Sequence, residues 1–460
     1  MRICGRALLP TSLHAAAILL CVAVSNARAE VGPAVPAQDS EQTLRALILA
    51  VQPGDTALDR EVGRLQNKIH NGHAAKPQII ELGWAFVSKA RVTGDPGYYK
   101  IAQQCAQLAG DGTDSLLLRG HIDHALHRFS DAEAIARKLA TEKQAGWQTY
   151  ALLGDALMEQ GKLAEAVDAY QRMIDIRPCL QTYARVAHVR WLKGDLAGAE
   201  ELMRLAVEAG NSRDPEPAAW AYTRLALYQF QSHELKETGW SVDRALEFVK
   251  DYPAALYLRS KLEIERGEPA KAIESLRTAI AQVPLPEYQW ALADAATLSG
   301  DADLAAKTED ALSRRGASED PRSFALFLAT RHAAPEMACK LAQEELANRR
   351  DVMTYDALAW TELAAGQIPE ARDNMKRALA EGTSDARLFY HTAKIEAAAG
   401  QKKSAIAWIR RVAPIQQMLL PSEHADLARQ AAALGVSLNA EPVSSPTKPK
   451  LADKANLRKQ

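Results

Sequence analysis

The sequence predicts an all-α protein in which about ten helical hairpins stack into a solenoid. Alanine and leucine outnumber β-branched residues, and aromatic residues make up only 6% of the chain. Such a composition favours helices. Turn residues recur every 33 or 34 positions between Gly94 and Gly400. A period of this length is typical of repeat architectures, and 460 residues are too many for one ordinary core.

The turn register has ten positions, and seven of them are glycine. Glycine is favoured where one helix ends and the next begins at once, because it adopts the left-handed conformation without steric cost. The one longer step, of 39 residues, spans the turn-rich insertion 210–217, which contains two prolines. The ten predicted turn residues are Gly94, His127, Gly161, Gly194, His233, Gly267, Gly300, Ala333, Gly366 and Gly400.

A second register of small residues runs in phase with the turns. Large side chains at these positions would overpack a helix crossing, at about 1–3 kcal/mol each. Five residues after the turn stands an alanine in eight repeats, namely Ala132, Ala166, Ala199, Ala272, Ala305, Ala338, Ala371 and Ala405. Seven residues before it the small residues are Gly120, Gly154, Ala187, Ala226, Ser260, Ala293, Ala359 and Ala393. The two registers together predict closely crossed helical hairpins.

The segment 146–178 shows one repeat most plainly. Its pattern residues are Tyr150, Leu153, Gly154, Leu157, Ala166, Tyr170 and Pro178. This arrangement resembles the tetratricopeptide repeat, and the resemblance covers roughly residues 77–420. It implies a right-handed α-α superhelical solenoid that binds peptides or protein segments in a concave groove lined by the first helix of each hairpin. The stretch 321–350 departs most from the repeat pattern.

The ends of the chain differ from the repeats. Residues 1–29 have the charge, apolar core and Ala-Arg-Ala ending of a cleavable signal peptide, which predicts a periplasmic or secreted protein. The apolar core is shorter than the roughly 20 residues that a membrane span needs. Residues 30–76 are expected to contain a capping helix, residues 421–435 to form a second one, and residues 436–460 to form a disordered basic tail.

No residue pattern indicates catalysis or cofactor binding. Loss of residues 1–29 removes three arginines and no acid, so the formal charge falls from −1 to −4. This charge does not favour nucleic-acid binding. Catalytic and nucleotide-binding motifs are absent from the sequence, which predicts a protein that is not an enzyme. His121 and His124 lie three residues apart on one helix face and could offer two imidazoles to a metal, with His188 as a third ligand if the curvature of the solenoid brings it near; His70 and His73 are a weaker candidate.

The repeat register also predicts which side chains line the concave groove. Trp and Tyr contribute strongly at protein interfaces, although the same side chains could instead fill the core between neighbouring first helices. The candidate partner-binding residues are Trp84, Trp191, Tyr257, Lys261, Trp290, Asp294, Asp356, Trp360, Tyr390 and Lys394.

The resulting functional hypothesis is a non-enzymatic protein–protein interaction scaffold of the bacterial cell envelope. It would bind a partner protein or peptide of the envelope, without a cofactor, without nucleic acid and without a membrane span after signal cleavage. The alternative hypothesis is a ligand- or metal-binding periplasmic sensor that uses the face bearing the histidines.

Overall fold

The computed structural model describes residues 41–72, 75–142, 145–210 and 215–438. These ranges hold 23 α-helices and no strand. No helix within them is both long and apolar enough to cross a membrane. The predicted signal peptide and residues 439–460 of the predicted tail lie outside the described residues.

Ten consecutive helical hairpins form the body of the protein. Two helices, α1 (Glu41–Ile48) and α2 (Ala57–His70), precede them. A 3-10 turn (Ala413–Met418) and α23 (Pro421–Leu434) follow them. The first five hairpins are α3 (Lys76–Thr93) with α4 (Gly97–Ala109), α5 (Thr113–Ala125) with α6 (Phe129–Ala140), α7 (Trp147–Glu159) with α8 (Leu163–Ile176), α9 (Leu180–Leu192) with α10 (Leu196–Glu208), and α11 (Pro215–Gln231) with α12 (Leu235–Phe248). The last five are α13 (Pro253–Glu265) with α14 (Pro269–Gln282), α15 (Pro286–Ser299) with α16 (Ala302–Glu319), α17 (Pro321–Thr330) with α18 (Pro335–Asn348), α19 (Val352–Ala364) with α20 (Ile368–Ala378), and α21 (Ala386–Ala398) with α22 (Lys402–Val412).

Left-handed backbone ends the first helix of each hairpin. Nine of the ten predicted turn residues have positive φ, including Gly161 at +72° and His127 at +58°. The prediction of Ala333 is wrong by one residue, because the turn lies at His332, with φ +50°. After Gly161, the Lys162 N–H donates to the Leu157 carbonyl at 2.9 Å, the 6→1 bond that closes such helix ends.

The predicted crossing residues lie where paired or neighbouring helices come closest. A Cβ atom on Gly154 would lie 2.3 Å from the Tyr170 ring, and one on Gly120 would lie 2.4 Å from Leu152. Seven of the eight alanines after the turns are buried, and only Ala305 in α16 is half-buried. The small-residue register is therefore a packing requirement, as the sequence indicates.

The first helices of the hairpins form the interior of the solenoid. In α7, all residues except Gln148 and Tyr150 are buried, whereas its partner α8 exposes one polar face that includes Asp168 and Asp175. A helix that is buried around most of its circumference lies inside the fold, and an amphipathic one lies at the surface. The second helices thus form the outer layer.

A buried ion pair joins the third and fourth hairpins. The Arg185 guanidinium in α9 lies 2.7 Å from the Asp155 carboxylate in α7, and the Tyr170 hydroxyl of α8 donates to the same carboxylate at 2.7 Å. Ion pairs of this kind are costly to bury, and breaking one side leaves an unpaired charge in the interior. The three side chains therefore hold two neighbouring hairpins in one arrangement.

The solenoid closes on itself after about five and a half hairpins. Turns within the third to fifth hairpins contact the connections that precede α19, α21 and α23, with sequence separations near 190 residues. Each contact satisfies a carbonyl at the C-terminal end of a first helix, where no intrahelical partner exists. The Arg350 backbone N–H donates to the Glu159 carbonyl at 2.9 Å, and the Thr383 hydroxyl donates to the Leu192 carbonyl at 2.7 Å. The side-chain amide of Gln417 donates to the Phe230 carbonyl at 2.8 Å.

Two turn glycines have a second role at this closure. A Cβ atom on Gly161 would lie 2.5 Å from the Arg350 carbonyl oxygen, and one on Gly194 would lie 2.6 Å from the Gly382 carbonyl oxygen. Backbone atoms cannot move aside as a flexible side chain can. These two positions therefore need glycine for close approach as well as for the left-handed turn.

Candidate functional site

The candidate site is the inner face of the solenoid, which is the face of the first helices that the sequence predicts to form the concave groove. All ten candidate residues lie on first helices. Most of them are buried in the folded chain. Those buried are Trp84, Trp290, Asp294, Asp356, Trp360 and Tyr390, whereas Trp191, Tyr257, Lys261 and Lys394 are half-buried.

The tryptophans of the inner face pack between neighbouring first helices. Trp290 meets Phe327 of α17 edge to face, with 5.8 Å between ring centroids. Trp360 stacks on His391 of α21 at 4.0 Å, and its indole N–H donates to the Thr330 hydroxyl at 3.0 Å. The structure thus places Trp290 and Trp360 in the core between adjacent repeats, the alternative that the sequence leaves open.

The two more N-terminal tryptophans also make internal contacts. Trp84 meets His121 edge to face at 5.0 Å. Trp191 stacks on His188 at 5.6 Å, and its indole N–H donates to Gln231 at 2.9 Å. Trp191 is only half-buried, unlike Trp84, Trp290 and Trp360.

The chain's own residues 417–422, here called the self-bound segment, lie against the inner face. The Lys261 ammonium of α13 donates to the Met418 carbonyl at 2.7 Å. On α15, the Trp290 indole N–H donates to the Ser422 hydroxyl at 3.2 Å, and the Asp294 carboxylate accepts the Ser422 backbone N–H at 2.8 Å. Three predicted groove residues therefore hold a peptide segment, and that segment belongs to the same chain.

Helix α23 continues from the self-bound segment along α21. Asp426 of α23 accepts a hydrogen bond from the Tyr390 hydroxyl at 2.8 Å and pairs with Lys394 at 2.7 Å. The Arg387 guanidinium at the start of α21 lies 2.7 Å from Glu423. Tyr390 and Lys394 are thus engaged by the C-terminal helix, which occupies the place of an eleventh first helix.

Burial and pairing set the charges around the self-bound segment. Burial would raise the pKa of the Glu423 carboxyl, but the neighbouring Arg387 outweighs it and holds the pKa below its usual range. Burial lowers the pKa of the Lys261 ammonium. Burial also raises the pKa of Asp294, although Arg331 opposes the shift. Hydrogen-bond partners therefore matter most for Glu423 and Asp294, since both carboxylates are buried away from water.

The remaining candidate residues, Asp356 and Tyr257, each contact a neighbouring first helix. The Asp356 carboxylate lies 2.8 Å from His391 Nδ1, and both side chains are buried. The Tyr257 ring packs on Tyr288 with 4.9 Å between centroids. These contacts lie within the protein and connect α19 with α21 and α13 with α15.

The histidines of the alternative, metal-binding hypothesis do not form a metal site in the described part of the chain, which excludes His73. Among the described residues, no group of three or more His, Cys, Asp or Glu side chains is placed to hold a metal ion. His121 packs on Trp84, and His124 meets Phe129 edge to face at 5.3 Å. Burial lowers the pKa of His188 to about 3, and this residue stacks on Trp191. The histidines of the inner face are packing residues in this structure.

Sequence reasoning did not identify the residues that complete the inner face. Arg387 lies over the Trp290 ring, 5.5 Å from its centroid, and pairs with Glu423. Ser422 bonds to Trp290 and Asp294. None of the three was selected by the repeat register. The available signal was the Pro421 that begins α23, which predicts a capping helix but not the path of the residues before it. The position of the self-bound segment follows from the closure of the superhelix.

Comparison with known proteins agrees with the hairpin architecture. A tetratricopeptide repeat family profile matches residues 117–178, 257–320 and 357–417, and each stretch spans two hairpins, apart from the first turns of α5, α13 and α19. No curated protein sequence matches the chain significantly.

Three solved structures are similar at low identity. The human IFIT1 dimer with PPP-AAAA shares 15% identity over 70% of this chain and 83% of that chain, with a TM-score of 0.46. A tetratricopeptide repeat protein from Parabacteroides merdae shares 18% identity over 55% of this chain and 98% of that chain, with a TM-score of 0.30. The APC/C hetero-tetramer Cut9-Hcn1 shares 13% identity over 85% of this chain and 98% of that chain, with a TM-score of 0.31.

The stacked hairpins and their closely packed first helices define an α-α superhelical solenoid protein. The repeat register and the three profile matches make the family assignment more specific. The chain is a tetratricopeptide repeat protein. Its repeats support a role as a protein–protein interaction scaffold, and the fold is typical of non-enzymatic scaffolds.

Proposed function

We propose that this protein is a non-enzymatic scaffold of the bacterial cell envelope that binds a partner protein or peptide on its inner face. The observation that carries the proposal is the binding of peptide backbone by Lys261 and Asp294, which hold the Met418 carbonyl and the Ser422 N–H. An ammonium donor and a carboxylate acceptor on adjacent first helices thus bind the carbonyl that ends the 3-10 turn and a free N–H in the first turn of α23. Backbone hydrogen bonds of this kind contribute affinity, and neighbouring side-chain pockets contribute specificity.

The location in the envelope rests on the signal-peptide pattern of residues 1–29. If the proposal holds, the protein appears in the periplasmic or secreted fraction, and its N-terminal peptide begins at Glu30. Cell fractionation followed by mass spectrometry of the purified protein measures both. A cytoplasmic protein that retains residues 1–29 would overturn this part of the proposal.

Partner binding is best tested with half-buried residues of the inner face. Replacement of Trp290 or Trp360 by alanine would remove a buried ring at about 3–5 kcal/mol, so a lost partner could reflect lost folding. Lys261→Met keeps the aliphatic stem and removes only the charge. Lys376→Met in α20, whose side chain is 70% exposed on the outer layer, is the matched control.

The measurement is cross-linked affinity capture from envelope extract, quantified by mass spectrometry. The expected result is a protein that the wild type and Lys376→Met both capture and that Lys261→Met captures at least tenfold less, with equal helicity of all three proteins by circular dichroism. Equal capture by the two variants would contradict binding at the inner face.

A further inference from the structure

The connection that leads to α23 contains a 3-10 turn. Residues 413–420 separate α22 from α23, compared with residues 379–385 between α20 and α21 and residues 283–285 between α14 and α15. The longest of these links begins as a 3-10 turn that is interrupted at Ile415, where φ is −128° and ψ is 17°. The turn brings residues 417–422 against α11, α13 and α15 before α23 takes the place of a first helix.

The self-bound segment fills apolar as well as polar subsites. Leu419 and Leu420 are buried within the main core. Met418 packs against a separate cluster that includes Phe230 of α11 and Leu262 of α13. Three consecutive aliphatic side chains therefore enter the protein beside the backbone contacts of Lys261 and Asp294, and the Ser422 hydroxyl meets Trp290.

We propose that residues 417–422 are an intramolecular ligand of the inner face, and that a partner segment of the same chemistry displaces them together with α23. That partner segment carries three consecutive large aliphatic residues, followed by the N-terminus of a helix that offers a hydroxyl and a backbone N–H. This inference rests on the proposed function, because it assigns the partner of the same face. The unbound protein is then self-inhibited, and the partner displaces the segment because it binds Lys261 and the neighbouring side chains more strongly than the segment does.

The arrangement of contacts supports an exchange. The polar partners of the self-bound segment outside residues 413–434 belong to α11, α13 and α15, whereas each hairpin packs mainly on its own neighbours. Asp426 and Glu423 hold α23 on α21 through side-chain ion pairs. A partner helix with acidic residues in its first two turns reproduces these pairs with Lys394 and Arg387.

The test uses the full-length protein and a fluorescein-labelled synthetic peptide of residues 413–434. In the protein, Leu420→Asp places a charge at a site that is 1% exposed, so it weakens the self-bound segment, and circular dichroism verifies that the hairpins of the variant remain folded. Fluorescence anisotropy should show that this variant binds the peptide at least tenfold more tightly than the wild type. Addition of Lys261→Met to the variant should reverse the gain, and a peptide that carries Leu420→Asp should not bind.

Equal peptide binding by the wild type and Leu420→Asp would overturn the proposal, as would a gain that is insensitive to Lys261→Met. A Leu420→Asp protein that dimerises by exchange of the segment would identify a second copy, not a partner, as the occupant and would also overturn it. Size-exclusion chromatography with light scattering distinguishes this case.

Hydrogen exchange of the wild-type protein provides a measurement that does not depend on the variant. The amides of residues 417–430 should exchange at least tenfold faster than those of α21, because the C-terminal unit must open while the hairpins remain folded. Equal exchange in the two regions would mean that the segment is a fixed cap. The peptide assay needs no cellular partner, so its failure is distinguishable from a failure of the capture experiment.

Discussion

The closure of the superhelix can be tested at a single methyl group. Gly161 and Gly267 both occupy turn positions with φ +72°, so alanine at either site incurs left-handed strain of about 1–2 kcal/mol. At Gly161 the new Cβ atom would also lie 2.5 Å from the Arg350 carbonyl oxygen, whereas at Gly267 nothing lies within 4 Å. The additional overpacking at Gly161 is expected to add about 1–3 kcal/mol.

Urea-induced unfolding, followed by circular dichroism, measures this difference. Gly161→Ala should lower the free energy of unfolding by about 2–5 kcal/mol, and Gly267→Ala by only about 1–2 kcal/mol. Small-angle X-ray scattering should show a larger radius of gyration for Gly161→Ala alone, because the contact with the loop before α19 is forced apart. Equal destabilisation and equal radii for the two variants would refute the contact between successive superhelical turns.

Two further predictions concern buried charges. Arg185→Met should destabilise the protein by about 3–5 kcal/mol, because the buried Asp155 carboxylate loses its cationic partner. Adding Asp155→Leu to this variant should recover most of the lost stability. If the effects of the two substitutions on the free energy of unfolding are additive, the two residues do not stabilise each other. Burial lowers the pKa of His188 to about 3, below the unfolded value near 6.5, so the unfolded chain takes up the proton first and stability falls as pH decreases below about 6.5. His188→Gln should flatten the pH dependence of the urea midpoint between pH 6.5 and 4, and an unchanged slope would exclude this contribution.

The hairpins were predictable because their local requirements appear as residue types. A left-handed turn favours glycine, and a close helix crossing favours glycine or alanine, so the two registers predict ten hairpins. Where the residue type is less restrictive, the prediction is less accurate, as at Ala333, whose turn lies at His332. The face of each first helix that points inward also follows from the register.

Whether an inward-facing residue is exposed depends on contacts that the register does not encode. Trp290 and Trp360 are inner-face residues, as predicted, yet neighbouring first helices and residues from the C-terminal end surround them. A tryptophan in the same register would be exposed in a wider superhelix. Its role depends on the curvature of the whole array.

The sequence by itself therefore determined the helices, their turns, their pairing and the identity of the inner face. Only the tertiary structure decided that the superhelix closes after about 190 residues and that Lys261 and Asp294 hold residues 417–422. The physical reason is that curvature accumulates from small rotations at every interface between repeats. No single interface specifies which distant segments meet, so the partner-like contacts of the C-terminal segment have no local signature in the chain.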